Sequence, residues 1–385
     1  MAPYWYWRQL KSDWAQDEST SNRFTLPEQG ALSGLYFDIR PYLTLGLDNV
    51  DNPWPLQRMD LRIVGNGNYE IANLRGRQLE AINFWDSGMM MPTQLTGWSG
   101  NSIYQEAIIP FGRYLGDPKY GLWLEKFAAG VEFEETNSFS TTYYTDAYSK
   151  MNVWGLFRKN PEASLFSGGF MRKRQIINKD TASESQYAVK LPTDNKLKQI
   201  HLFSESDLSS GLESNGVFTT AQKIWLSIKS REEYLIDNQM ALYWGPFMHQ
   251  MYGRQAERII TQGETEYNPC RVDTGIYWNE NVQANTIHAS HGFCAIGATP
   301  WQTRVNQVYV FSTAGSAAQR TFMLRSSGKC LNGDIPLLLQ DPKTSDEADW
   351  LDAAANKDVY VEVTEGASAG NWYIVLDELE KMYPS

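Results

Sequence analysis

Apolar and polar residues alternate along most of the chain, with turn residues at short intervals. This period-two pattern predicts antiparallel strands with one buried face. Residues 32–40 form one such run, closed by Pro41. Residues 58–64 and 69–74 flank Gly65-Asn66-Gly67-Asn68 and predict a hairpin, because Asn-Gly tolerates the positive φ of turns that match strand twist. Over 117–127, Asp-Pro followed by Tyr120, Leu122, Trp123, Leu124 and Phe127 predicts a short helix packed on a sheet.

Val131-Glu132-Phe133-Glu134 alternates apolar and acidic residues, a polar run follows to Ser149, and residues 151–157 alternate again. The same strand, loop, strand unit returns at the other end, where 359–363 leads through 365–370 into 372–376. Each unit predicts a closing hairpin. Between them, Asn160-Pro161-Glu162-Ala163-Ser164 has no periodicity, and Gly168-Gly169-Phe170 opens a fresh series of strands over 171–178, 186–191, 196–203, 223–229, 307–312 and 321–325. A helix is expected near 239–252. The expected organisation is an all-β chain with an N-terminal arm over 1–30, one β-rich domain over 31–160 and a second of comparable plan over 161–385.

Composition narrows the function. The chain has 385 residues, 42% hydrophobic and 21% charged, which is ordinary globular usage and long enough for more than one core. Its excess is aromatic, with 14 Trp, 21 Tyr and 16 Phe. A net charge of −11 repels a phosphate backbone, so generic DNA or RNA binding is disfavoured without a local basic patch. Cys270, Cys294 and Cys330 cannot all pair with one another, which argues for a reducing compartment and against a disulfide framework. The start of the chain has no apolar run of signal-peptide length, and the apolar stretch over 240–252 is interrupted by Pro246, His249 and Gln250. No membrane span or secretory route is expected.

In this order of elements the chain resembles the double jelly-roll major capsid proteins of tailless icosahedral viruses, the group of the tectivirus-like phages and the adenovirus hexon. The likeness starts at the hairpin from Leu61-Arg62-Ile63-Val64 to Leu74-Arg75-Gly76 and the turn Asp86-Ser87-Gly88. It runs on through Pro110-Phe111-Gly112-Arg113 and the segment with Trp123 and Phe127 into 131–157. In the second half, Arg172-Lys173-Arg174-Gln175-Ile176, Leu191-Pro192-Thr193 and residues 197–202 look like opening strands, and Val361-Glu362-Val363 and Val375-Leu376-Asp377 look like closing ones. These are strand patterns without a catalytic signature, and their order carries the likeness.

The resemblance implies two consecutive eight-stranded jelly rolls with short helices in the loops. It implies a structural protein without enzymatic activity, cofactor or metal, forming homotrimers that tile as pseudo-hexagonal capsomers of an icosahedral shell. Its partners would be copies of itself, penton and minor capsid proteins and an internal viral membrane, with no sequence-specific nucleic acid. The protein would be made in the host cytoplasm and reside in the virion capsid. Residues 86–102 and 263–303 would be tower loops, or else irregular surface loops.

Several constellations carry alternative chemistry. In Tyr4-Trp5-Tyr6-Trp7-Arg8-Gln9-Leu10-Lys11, the residues Trp5, Tyr6, Trp7, Arg8 and Lys11 mix amphipathic aromatics with cations. That mixture suits a membrane interface, a neighbouring subunit or docking on the protein's own domain. Arg172, Lys173 and Arg174 form a basic triplet for acidic head groups, packaged nucleic acid, or a salt-bridged interdomain or intersubunit surface. His288, His291 and Cys294, with Cys270 from afar, have zinc-binding side chains in no known zinc spacing, so a polar loop with a buried thiol is the alternative. Glu132 and Glu134 share one face of a strand. They read either as the solvated side of that strand or as a glycosidase carboxylate pair, which with the many Trp side chains frames the rival carbohydrate-active or carbohydrate-binding β-sandwich.

Overall fold

The alternation resolves into two sets of eight principal strands, numbered here in chain order. They are seen in a computed structural model that describes residues 2–17, 20–42, 55–91, 93–95, 103–139, 144–145, 148–181, 185–206, 220–264, 270–273, 275–286, 292–296, 307–312, 320–342, 346–366 and 370–381. The first set is β1 (Tyr4–Ala15), β2 (Ser21–Thr25), β3 (Ala31–Arg40), β4 (Met59–Gly65), β5 (Tyr69–Arg75), β6 (Ile103–Pro110), β7 (Val131–Asn137) and β8 (Lys150–Lys159). The second is β9 (Phe170–Asp180), β10 (Gln186–Lys190), β11 (Lys196–Ser206), β12 (Ala221–Ile228), β13 (Glu233–Met240), β14 (Asp334–Pro336), β15 (Tyr360–Glu365) and β16 (Gly370–Glu380).

In the first set one sheet has the order β1-β8-β3-β6 and the facing sheet β2-β7-β4-β5; the second set repeats this as β9-β16-β11-β14 and β10-β15-β12-β13. Every one of these pairings is antiparallel. This is jelly-roll order, twice over. The two rolls are joined edge to edge: β5 pairs with β9 in parallel, Ala72 opposite Lys173 and Asn73 opposite Arg174. One sheet therefore runs from the first roll into the second.

The cores follow from the alternation. On β7, Val131 and Phe133 are buried while Glu132 and Glu134 are half-buried, and Phe133 stacks on Phe37 of β3 with ring centres 5.3 Å apart. In the second roll Ile200, Leu202, Ile224, Leu226, Val361 and Val363 pack with Trp372 and Ile374. Strand β16 is buried without a break from Trp372 to Leu379, because its outer face is covered as well as its inner one.

The cover is helix α1 (Gly76–Ser87), which follows β5 and is buried at Gly76 and at every position from Gln78 to Trp85. At Gly76 a Cβ would lie 1.7 Å from the backbone oxygen of Leu56, so only glycine lets the helix start there. Gly88, in the left-handed region at φ 74°, ends the helix by donating to the Phe84 carbonyl at 2.8 Å. Helix α2 (Ala241–Met251) follows β13 at the corresponding place in the second roll. Between α2 and β14 lie two small sheets, one of Ala256–Glu264, Arg320–Lys329 and Tyr277–Thr286, the other of Cys270–Asp273, Gln307–Ser312 and Gly292–Ile296.

The expected hairpin is β4 and β5, with Asn66 and Gly67 both at positive φ. Four other expectations are corrected. Residues 1–30 are no arm: β1 and β2 are integral strands of the first roll, hidden from the period-two reading because residues 4–7 are aromatic at every position. The expected helix over 117–127 is a short strand, Leu122–Trp123, and one 3-10 turn, Leu124–Lys126. The closing pairs β7/β8 and β15/β16 are not hairpins, since their members lie in opposite sheets, bridging the mouth of each roll. Residues 263–303, read as loops, include strands of both small sheets.

Candidate functional site

The basic triplet stands at the seam between the rolls. Lys173 is buried, with Nζ 2.7 Å from Asp377 Oδ2 on β16 and 3.7 Å from Asp86 Oδ2 at the end of α1. Lys198 of β11, also buried, donates to Asp86 Oδ1 at 2.8 Å and Asp377 Oδ2 at 3.0 Å. Two ammonium groups and two carboxylates from both rolls thus form one knot. Burial opposes the charge on Asp377, but Lys173 and Lys198 outweigh it and hold the carboxyl below the usual carboxylate range. Burial likewise opposes the charge on Lys198, and Asp377 and Asp86 more than offset it, raising its pKa.

Arg172 donates through Nε to the Glu70 carbonyl, lies over the Tyr69 ring at 4.5 Å and stands 3.5 Å from Glu378. Arg174 donates to Glu378 Oε1 at 2.6 Å. All three cations are therefore engaged inside the chain. Beside them, Gln78 of α1 donates to Gln175 of β9 at 2.6 Å. The other side of α1 is held from the base of the small sheets, where Arg254 donates to the Trp85 carbonyl at 2.6 Å and Arg258 pairs with Glu80 at 2.5 Å. Asn332 donates to the same carboxylate at 2.7 Å.

The N-terminal aromatics are divided by β1. Tyr6 stacks on Phe157 of β8 with ring centres 5.9 Å apart, and Lys11 lies over Trp14 and Phe24. Trp5 meets Phe166 and the Arg158 guanidinium. Trp7 is 51% exposed and meets Tyr36 edge-on at 6.0 Å; Tyr36 in turn meets Trp154 at 5.5 Å, giving an aromatic patch across the outer face of β1, β8 and β3. Arg8 is exposed at the free edge of that sheet.

Glu132 and Glu134 lie on the outer face of β7, and Glu134 pairs with Arg62 at 3.1 Å, the arrangement of a solvated strand face. His288 and His291 lie outside the described residues. Cys270 and Cys294 are in register with the same residue, Val310, from opposite sides, so a whole strand separates them. Cys330 is buried, and burial pushes its thiol well above the ordinary range.

The reading from sequence missed α1 and the acidic partners of the triplet. The available signals were Gly88 as a helix stop and the match of a basic run in one strand to Asp377-Glu378 in another. It also missed the buried pair of His201 Nδ1 and Asp334 Oδ1, 2.8 Å apart.

No protein-family model and no curated protein matches the sequence. Solved structures do. The STIV MCP aligns over 99% of this chain and 98% of its own, with a TM-score of 0.54 at 10% identity. This chain has the double jelly-roll fold. A chain of the Sulfolobus Turreted Icosahedral Virus structure shares the double jelly roll over 98% of this chain and 91% of its own, with a TM-score of 0.52 at 9% identity. The major capsid protein of Bacteriophage PM2 aligns over 99% and 100%, with a TM-score of 0.46 at 8% identity. The neighbours of this double jelly roll are capsid proteins, and the glycan-binding alternative finds no support among them.

Proposed function

We propose that the chain is a viral major capsid protein, a structural building block that associates as a homotrimer and then into an icosahedral shell. The observation that carries the reading is two complete jelly rolls in one chain, superposable along nearly its whole length on the STIV MCP. The physics of the molecule supports it. A shared sheet and a buried ionic knot make the two rolls one rigid tile, and rigid tiles associate through their flanks. On this reading the function resides in interfaces, and the chain is not an enzyme.

The first roll runs through Lys159 and the second begins at Phe170. Trp5, Tyr6, Trp7, Arg8 and Lys11 form the N-terminal flank that meets a neighbour. The small sheets after α2 belong to the tower. Penton and minor capsid proteins and an internal membrane are the further partners, and the protein is made in the host cytoplasm before it enters the virion. Light scattering on the purified chain, with negative-stain images, tests the proposal. The expected result is a particle of three chains and hexagonal plates; a monodisperse single chain at high concentration would refute it.

A further inference from the structure

Helix α2 meets α1 through a histidine. His249 is fully buried, with its ring near-parallel to Phe84 of α1 at 6.0 Å and edge-on to Trp85 at 5.1 Å. Its Nε2 stands 3.3 Å from the Asp334 backbone carbonyl of β14, a group that only accepts, so Nε2 carries the proton of the neutral ring and Nδ1 carries none. Nδ1 has no hydrogen-bond partner among the described residues. A second proton on this ring has one place to go, and no acceptor meets it there.

The surroundings oppose that proton. Asp334 favours it, but the Asp334 carboxylate is turned to His201 of β11, with Oδ1 2.8 Å from His201 Nδ1. His201 and the buried guanidinium of Arg254 both act against it. Arg254 sits close, its backbone N donating to the His249 carbonyl at 2.6 Å and its Nε to the Trp85 carbonyl at 2.6 Å. Cys330, a neutral thiol beside Asp334 and Lys329, brings no counter-charge. On α1, Glu80 is taken by Arg258, and Asp86 by Lys173 and Lys198. The charges on the other strands packed against α2, Lys223 of β12 and Glu233 and Asp237 of β13, are at least partly exposed and do not figure among the groups that act on the ring. Burial is the largest effect, and it lowers the His249 pKa to about 4. His201 differs, because a proton gained there faces a carboxylate.

We infer that His249 is an acid-operated latch: once its ring takes a second proton, the last turns of α2 and the corner at Tyr252, Gly253 and Arg254 come away from Phe84 and Trp85 of α1. That corner leads straight into the small-sheet strand Ala256–Glu264, so acid frees the root of the sheet. The rolls hold, because Lys173 and Lys198 keep Asp377 ionised to lower pH. The closed latch binds this proton less readily than the open one. It is therefore at full strength above the ordinary histidine range and weakens about tenfold for each pH unit between about 6.5 and about 4. The inference goes beyond the capsid reading and does not depend on it.

Hydrogen exchange on the full chain tests it, with rates corrected for the intrinsic effect of pH. Between pH 6.5 and pH 4.5 the amides of residues 245–254 should lose more than about tenfold in protection, reversibly, while those of β16 keep theirs. His249→Gln retains a donor for the Asp334 carbonyl and takes up no proton, so its protection over 245–254 should be the same at both pH values. Unchanged protection in the wild type, a loss that β16 shares, or an equal loss in the variant would overturn the inference. Histidine-selective NMR of the wild type gives a second measurement that needs no variant. One ring should titrate near 4 in step with the loss of protection, and a chain in which every histidine titrates near 6.5 would refute the latch.

Discussion

Glu135 on β7 is fully buried, with the Asn22 amide donating to it at 3.2 Å. Burial pushes its carboxyl up to about 7, against the smaller opposing effect of the Asn22 and Asn137 hydrogen bonds. A carboxyl whose folded pKa lies above its unfolded value holds an extra proton in the folded state. Its stabilising effect is full below the ordinary carboxylate range and is lost as pH rises through about 7. Glu135→Gln should therefore raise stability at pH 8 by on the order of 1–2 kcal/mol and change little at pH 4. Thermal melts at the two pH values check this, and equal shifts at both would contradict it. At this scale the sequence marked the cations and the alternation around Glu132 and Glu134, but no local pattern marks which carboxylate ends up buried without a counter-charge.

At the scale of elements, β1 is the clearest case of a segment whose role its own residues conceal. It pairs with β8 from Tyr4 to Ala15 and covers Phe157 with Tyr6. Removing residues 1–15 should expose the edge of β8 and cost several kcal/mol, given roughly 1.5–3 kcal/mol for each large apolar side chain uncovered. The truncated chain should be insoluble or melt far below the parent, whereas an arm could be trimmed with no change in melting. The β4/β5 hairpin was legible because Asn66-Gly67 dictates its turn locally. Helix α1 was not, because it is buried on nearly all sides and so lacks the polar stripe that reveals a period of 3.6.

At the scale of the molecule, the continuous sheet and the knot of Lys173, Lys198, Asp86 and Asp377 couple the two rolls. Calorimetry on the wild type should show a single unfolding transition for both. Asp377→Asn leaves two buried ammonium groups short of one carboxylate, and breaking such a buried group costs about 3–5 kcal/mol. The variant should melt earlier and separate the two rolls into distinct transitions. A variant that melts as one unit at the wild-type temperature would show that the knot does not couple them. The pH dependence has the opposite sign to that of Glu135: Asp377 is held below the usual range, so its contribution persists above that range and fades as pH falls through the lowered value.

By itself the sequence determined the all-β class, most of the strands, the β4/β5 turn and the repetition of one plan in two halves. Each of these is written in residues near one another, through alternation and turn chemistry. Only the tertiary structure decided that β1 belongs to the first roll, that the closing strands face each other across a sandwich, and that Lys173 is buried between Asp86 and Asp377 while Arg172 and Arg174 pair with Glu378. Those outcomes depend on partners such as Asp86, Asp377 and Glu378, far away in sequence and brought close by the packing of whole sheets. Alternation tells a strand which face to bury but carries no record of what will lie against it.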